Sequence, residues 1–392
     1  MESRPKITFD DTSIAFSYKS NAELRKANFI FSLVNHPWIS STATGFTKLA
    51  LNLHLPIEGI IRKTAFDHFC GGVSINDSED VIEKLGSFGV GTILDYSVEG
   101  EESEDGFDKT LAELLKTLDK AKTSKNIPFS VFKVTGLASS ALLEKVQRNE
   151  NLTTEEFASF EKGKRRVNAI CQRAYEYKVP VLVDAEETWL QEPIDTMADN
   201  MMAKYNREEA IVFNTYQLYK AESFSNLQKA YKQAIDNNYY LGAKVVRGAY
   251  MEKERARAEK LGYPSPIQQD KAASDKAFNE ALEFCIKHID KISMMCGSHN
   301  EESNLYLTEL MEKNRIKKDD RRVWFAQLFG MSDNISFNLA KAGYRVAKYV
   351  PYGPVRSVMP YLFRRASENT SVAGQSSREL TLIRKELRRR KV

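Results

Sequence analysis

The sequence predicts an α/β protein organised as a closed (β/α)8 barrel. Three observations carry that expectation. Past Gly89 the chain alternates between short apolar runs and helical patterns, and the runs number eight: Gly91–Tyr96, Phe129–Gly136, Val179–Glu186, Ala210–Gln217, Gly242–Tyr250, Ile292–His299, Val323–Met331 and Arg345–Tyr352. Helical periodicity fills the intervals, as in Leu111 to Ala121, Phe157 to Tyr177, Leu218 to Ile235 and Ala272 to Ile289, and apolar strands with helical crossovers make a parallel sheet. Eight such units in about 260 residues match the usual size of this barrel, about 250 residues. An open doubly wound sheet is the competing arrangement. It is disfavoured because no G-x-G-x-x-G follows the first strand; Gly86, Gly89 and Gly91 have the wrong spacing.

Taken in order, residues 1–20 read as a loose arm with some extended character. From Asn21 to Phe69 the pattern is helical: Leu24, Ala27, Phe31 and Val34, then Phe46, Leu49, Ala50 and Leu53, then Ile57, Ile60, Ile61 and Phe69. Pro37 and Pro56 punctuate these helices, whose apolar density requires them to pack on the rest of the chain. Gly71-Gly72 is a break. A short helix begins after Asp77 or Ser78, carries Val81, Ile82 and Leu85, and ends at Gly86. The barrel units follow. At the last of them, Pro351, Gly353 and Pro354 stop the strand, and Pro354 suits the first turn of a helix. On that helix Val355, Val358, Met359 and Leu362 form an inward stripe, with Tyr361, Arg364, Arg365 and Glu368 on the flank and the opposite face. Adjacent guanidinium groups suit a carboxylate, gripped through several charge-assisted hydrogen bonds. The plainer reading is a solvated pair tied to Glu368.

A chain of 392 residues can bury one large core, or a barrel with an appendage. Its composition, 42% hydrophobic and 28% charged, is that of a soluble globular protein. The formal charge of +4 is unevenly placed: Arg378 to Val392 holds seven basic and two acidic residues, a local +5 that leaves the remainder near −1. Leu380, Ile383 and Leu387 give this tail an apolar stripe, so it reads as a docked terminal helix with a solvated basic face. A nucleic-acid or membrane-surface module is the competing use. Cys70, Cys171, Cys285 and Cys296 form no C-x-x-C and no metal-ligand spacing, which points to free thiols in a reducing compartment. Residues 1–20 mix Glu2, Asp10 and Asp11 with Arg4, Lys6 and Lys19, unlike an acid-poor transit peptide. No apolar run reaches 18 residues. The expectation is a cytoplasmic protein that does not span a membrane but is able to lie against its inner face.

Chemistry in such a barrel belongs at the C-terminal strand ends, and every predicted strand offers a polar group there. In order these are Asp95-Tyr96; Lys133 before Thr135 and Gly136; Asp184-Ala185-Glu186-Glu187; Asn214-Thr215-Tyr216-Gln217; Lys244 with Arg247-Gly248-Ala249-Tyr250; Gly297-Ser298-His299-Asn300; Gln327; and Tyr349. Structural uses compete for some of them. Asp184 and Glu187 are able to cap the following helix, and Lys133 with Asp184 is able to form a purely structural ion pair. His299 alone of five histidines sits at a strand end, which argues against a histidine-built metal site.

These segments, read together, resemble the proline dehydrogenase (proline oxidase) family. The likeness rests on Asp184-Ala185-Glu186-Glu187-Thr188-Trp189, Phe213-Asn214-Thr215-Tyr216-Gln217, Lys244-Val245-Val246-Arg247-Gly248-Ala249-Tyr250, Ser298-His299-Asn300, Phe325-Ala326-Gln327-Leu328-Phe329-Gly330-Met331 and Tyr349-Val350-Pro351-Tyr352-Gly353-Pro354 followed by Arg364-Arg365-Ala366-Ser367-Glu368-Asn369. It runs from about residue 90 to 371. The N-terminal helices, and Lys244 where the bifunctional branch carries Arg, resemble the stand-alone, mitochondrial-type enzymes. The resemblance implies a distorted TIM-like (β/α)8 barrel over 90–371, with an N-terminal helical arm over 1–89 packed on it and a basic C-terminal helix over 372–392. One C-terminal helix would lie over the barrel mouth.

It further implies non-covalent FAD at the strand ends and oxidation of L-proline to Δ1-pyrroline-5-carboxylate, the first step of proline catabolism. Electrons would pass to a membrane quinone through peripheral membrane contact. Pyrroline-5-carboxylate dehydrogenase would act downstream, and no nucleic acid would be bound. By resemblance Lys133, Arg364 and Arg365 bind the substrate carboxylate with Asp184 beside Lys133, and Tyr250, Leu328, Tyr349 and Tyr361 wall the ring. Asp184, Ala185, Asn214, Lys244, Val246, Arg247, Gly248, Ser298, His299, Asn300, Gln327 and Glu368 would contact FAD. The residue types suit the chemistry: proline has a carboxylate to anchor, an apolar ring to enclose, and a C–H bond from which hydride leaves to flavin N5. The amine must be neutral at that moment, and no general base is assigned. Two alternatives remain open, a 4-hydroxyproline dehydrogenase and a Schiff-base aldolase using Lys133 or Lys244.

Overall fold

The computed structural model of the chain describes residues 7–34, 59, 62–98, 102–362 and 375–392. Eight strands close into a barrel in sequence order: β1 Val90–Tyr96, β2 Phe129–Phe132, β3 Val181–Val183, β4 Val212–Gln217, β5 Leu241–Val246, β6 Ile292–Gly297, β7 Val323–Leu328 and β8 Val346–Tyr352. The β1–β8 pair and the successive pairs from β2–β3 to β6–β7 are all parallel. Alternating apolar runs and helical patterns therefore gave the architecture correctly.

Strands β2, β3, β5, β6 and β7 end earlier than the sequence pattern predicts, and the difference matters. Lys133, Asp184, Arg247 and Ser298 each occupy the first position past a strand. Beyond Lys133 and Arg247 the backbone turns out of the strand. After Lys133 a 3₁₀ turn takes Val134–Gly136. After Arg247 the chain turns through Gly248 at φ 131, where an added Cβ would fall 1.7 Å from the Tyr219 ring. Only glycine fits that crossing.

Residues 100–326 form one compact unit. Its helices are better bounded than periodicity indicates, because caps fix their ends. Ser103 accepts from Gly106 N–H to start Glu104–Thr123, and a Thr153/Glu156 capping box starts Thr154–Tyr177. Phe129 packs edge-on against Phe213 and Trp324, with ring centroids 5.5 and 5.2 Å away.

Residues 1–99 and 327–392 form the other unit. In helix Asn21–Val34 the stripe Leu24, Ala27 and Phe31 is buried as expected. The helices expected at Phe46–Leu53 and Ile57–Ile61 lie outside the described residues. Val355, Val358, Met359 and Leu362 are buried, and Tyr361 joins their apolar cluster. That corrects its expected place on the flank, since the cluster wraps far enough round the helix to enclose its ring. The tail is a docked helix, Gln375–Arg389, burying Leu380, Leu382 and Ile383. Its basic face is largely occupied within the unit: Arg378 pairs with Asp10 at 2.7 Å, Lys385 donates to Asp10 O at 2.7 Å, and Arg390 donates to Phe16 O at 2.7 Å. A second anchor is fully buried. Lys348 lies 2.8 Å from Asp333, Tyr18 Oη donates to Asp333 at 2.7 Å, and Ser332 N–H donates to Glu379 at 2.9 Å. No helix among the described residues is long and apolar enough to cross a membrane.

Candidate active site

Asp184 is the centre of the polar cluster in the 100–326 unit. Its backbone N–H still donates to Phe132 O, at 2.9 Å, so the residue is held as if β3 continued. One carboxylate oxygen lies 2.5 Å from Lys244 Nζ and the other 3.3 Å from Lys133 Nζ. Burial alone would raise the Asp184 pKa, but Lys244 and Lys133 overcome it and hold the group below its ordinary value. Asp184 thus gathers two basic side chains just past the strand ends, and basic groups suit an anionic ligand group.

Glu186, two residues on, is also buried, and it receives Thr135 N–H at 3.0 Å and Thr135 Oγ–H at 2.5 Å. Burial pushes its pKa up to about 7, against the opposing pull of Thr135 and Lys133. Its backbone is fixed as well: its N–H donates to Gln191 Oε1 and its carbonyl accepts from Gln217, both at 2.7 Å. Glu186 therefore ties the turn after Lys133 to the end of β3. The sequence showed it at a strand end and gave it no role.

Arg247 is held on three sides. Its guanidinium pairs with Asp275 at 2.7 Å, donates to Ser298 Oγ at 3.0 Å and Ser303 Oγ at 2.9 Å, and stacks 4.4 Å from the Phe278 ring centroid. Ser298 Oγ also accepts from Asn300 N–H at 3.1 Å, and Asn300 caps helix Glu301–Lys313 through Ser303 N–H. The run Ser298-His299-Asn300 thus forms a corner beside Arg247. His299 is half-buried there.

Asn214 is buried, donates to Asp195 of helix Thr188–Tyr205 at 2.9 Å and accepts from Thr215 N–H at 2.8 Å. Its amide ties β4 to that helix. Side chains alternate along a strand, so Gln217 lies on the other face, with Thr215, whose hydroxyl bonds Val183 O. Gln217 is the β4 group beside Glu186, and only its position at the strand end signalled it. Ala185 and Tyr250 are buried, Val246 is half-buried, and Gly248 is exposed.

In the other unit, Gln327 is buried and accepts from Ser336 Oγ at 2.8 Å. Tyr349 is buried near the end of β8, where its carbonyl accepts from Phe329 N–H at 2.8 Å, and Leu328 is half-buried. Arg364, Arg365 and Glu368 lie outside the described residues.

The family model described as Proline dehydrogenase matches residues 78–378. The chain is 33% identical over 426 residues to "Proline dehydrogenase 1, mitochondrial" of Dictyostelium discoideum, covering 97% of this chain and 74% of that protein. It is 30% identical over 422 residues to the hydroxyproline dehydrogenase of Xenopus laevis, covering 98% and 90%. Among solved structures, proline utilization A from Bdellovibrio bacteriovorus, inactivated by N-propargylglycine, superposes with a TM-score of 0.71 at 20% identity. That likeness of fold covers 93% of this chain and 37% of the solved one, so this chain spans well under half of that protein's length. Matched along most of its length by the family model and by these relatives, the chain belongs to the proline dehydrogenase family.

Proposed function

We propose that this protein is a proline dehydrogenase that oxidises L-proline to Δ1-pyrroline-5-carboxylate with FAD, the first step of proline catabolism. The observation that carries the reading is Asp184 fixed between Lys133 and Lys244 just past the strand ends. In this reading Lys133, with Arg364 and Arg365, binds the substrate carboxylate, and Tyr250, Leu328, Tyr349 and Tyr361 enclose the ring. Asp184 aims Lys133.

The donor set suits a flavin. Lys244, Arg247, Gln217, Ser298 and Asn300 offer cationic and neutral donors on a scaffold already tied down by Asp275 and Ser303. These residues, with Asp184, Ala185, Asn214, Val246, Gly248, His299, Gln327 and Glu368, would hold FAD. When bound, the flavin supplies the acceptor for the hydride that leaves proline. The protein's share is to position the ring, exclude water with its aromatic wall, and stabilise the charge with fixed lysines. No residue is assigned as general base. Electrons would then pass to a membrane quinone, with the protein peripheral at the inner face of the membrane and pyrroline-5-carboxylate dehydrogenase consuming the product. Neither step involves nucleic acid.

Anaerobic addition of L-proline to the purified, FAD-loaded protein should bleach its visible absorbance. Stoichiometric protein that takes up no flavin on reconstitution would overturn the reading. The Schiff-base alternative is weakened because Asp184 ties down both lysine side chains, at 3.3 and 2.5 Å.

A second reading is oxidation of 4-hydroxyproline, favoured by the Xenopus laevis relative. Tyr349 separates the two, because a phenol against the substrate ring fills the space that an added hydroxyl needs. Tyr349→Ser should lower kcat/KM for proline and shift the ratio toward trans-4-hydroxyproline. An unchanged ratio would remove Tyr349 from that position.

A further inference from the structure

Glu254 is the one fully buried carboxylate of the highly charged helix Met251–Leu261, with no solvent exposure. Burying a carboxylate is costly unless strong partners replace water. Here the partners are on another helix. Glu254 accepts Thr188 N–H at 2.7 Å and Thr188 Oγ–H at 2.6 Å. Thr188 opens helix Thr188–Tyr205, whose own N-cap, Glu187, makes no side-chain capping bond. Glu254 therefore supplies the missing cap from outside and places a negative charge at the helix N-terminus. Two further contacts reinforce the junction: Lys253 pairs with Glu187 at 2.9 Å, and the Arg257 guanidinium lies 4.4 Å from the Trp189 ring centroid.

Both ends of this junction belong to the candidate site. The Glu254 backbone N–H donates to Tyr250 O at 2.9 Å, and Tyr250 opens the helix that carries Glu254. On the other side, Thr188 follows Asp184-Ala185-Glu186-Glu187 directly. One residue thus touches Tyr250 through its backbone and the start of the Asp184 segment's helix through its side chain.

We propose that Glu254 is a positioning residue, whose cross-helix cap holds Tyr250 and the Asp184 segment in the one arrangement that binds substrate. The inference rests on the reading of Tyr250 and Asp184 as proline contacts.

The test uses the full-length, FAD-loaded protein and its Glu254→Gln and Glu254→Ala variants. Proline KM, kcat, KM for a soluble dye acceptor, flavin content and thermal midpoint are measured together. Loss of a charge-assisted pair predicts a rise of about tenfold in proline KM for Ala, less for Gln, with the dye KM unchanged. A third variant adds Glu187→Asp to Glu254→Ala. It gives helix Thr188–Tyr205 a cap of its own and should restore thermal stability while leaving proline KM high. Recovery of KM together with stability would reduce Glu254 to a structural cap and overturn the proposal. So would an unchanged proline KM in both single variants. If the Ala variant fails to fold, the Gln variant decides by the same criterion. A wild-type protein that holds flavin but does not oxidise proline overturns the functional reading instead, and the role given to Glu254 with it.

Discussion

Asp184 Oδ1 lies 2.5 Å from Lys244 Nζ, and each side chain is at least 85% removed from solvent. Burial at this depth makes the pair interdependent. Removing Asp184 takes a buried carboxylate from both lysines, and breaking a buried pair in this way costs about 3–5 kcal/mol.

Asp184→Asn should therefore lower stability and, on the proposed reading, activity, because Lys133 loses the same counter-charge. Adding Lys244→Met should recover part of the lost stability, since it removes the buried lysine that has lost this carboxylate. Denaturant midpoints for the two singles and the double check this. Strict additivity would show that the two groups do not share one energy.

The substrate carboxylate should respond to its proposed cations separately. Lys133→Met, Arg364→Met and Arg365→Met should each raise proline KM by about ten- to hundredfold, from loss of roughly 1.5–3 kcal/mol per charge-assisted bond. Flavin content should stay near that of the wild type. Normal proline binding in both arginine variants would return that pair to the protein surface.

Glu186 sets a pH dependence whose sign is fixed by its burial. Its folded pKa, about 7, exceeds the ordinary 4.5, so folding favours the protonated form. Lys133 pulls against this shift and Glu187 adds to it. The stabilisation is full below about pH 4.5 and is lost as pH rises to about 7, on the order of 3 kcal/mol in all. Glu379, also pushed up to about 7 by burial and then Asp333, acts with the same sign in the other unit. Glu186→Gln and Glu379→Gln should each flatten part of the fall in thermal midpoint between pH 5 and 7, as read by calorimetry. An unaltered slope in either variant removes that group from the account. Asp184 acts oppositely, since its depressed pKa gives stability that is lost as pH falls below the ordinary carboxylate range.

Deleting residues 377–392 should damage the fold and not merely weaken membrane contact. It removes buried Leu380, Leu382 and Ile383 and the Glu379 carboxylate that holds Ser332 N–H. Each buried aliphatic side chain contributes about 1.5–3 kcal/mol. A truncated protein with an unchanged thermal midpoint and weaker binding to anionic vesicles would instead make the tail a surface device.

The sequence by itself determined the barrel, because strand and helix periodicities are local and eight repeats of them leave few architectures. It also determined which residues stand at the strand ends, since Lys133, Asp184, Arg247 and Ser298 follow directly on apolar runs. The docked terminal helix was legible for the same reason, in the spacing of Leu380, Ile383 and Leu387. The Lys133–Asp184 pair was legible too, as partners from neighbouring strands. Tertiary structure alone decided that Lys244 joins them from 60 residues beyond Asp184, a contact that no local pattern encodes. It also decided the protein partners of Asn214, which turns toward Asp195, while Gln217 lies on the opposite face beside Glu186. Glu254 was hidden most completely. Among the lysines, arginines and glutamates of its helix nothing marks it, and only the packing of that helix against Thr188 makes it the one acid taken out of water.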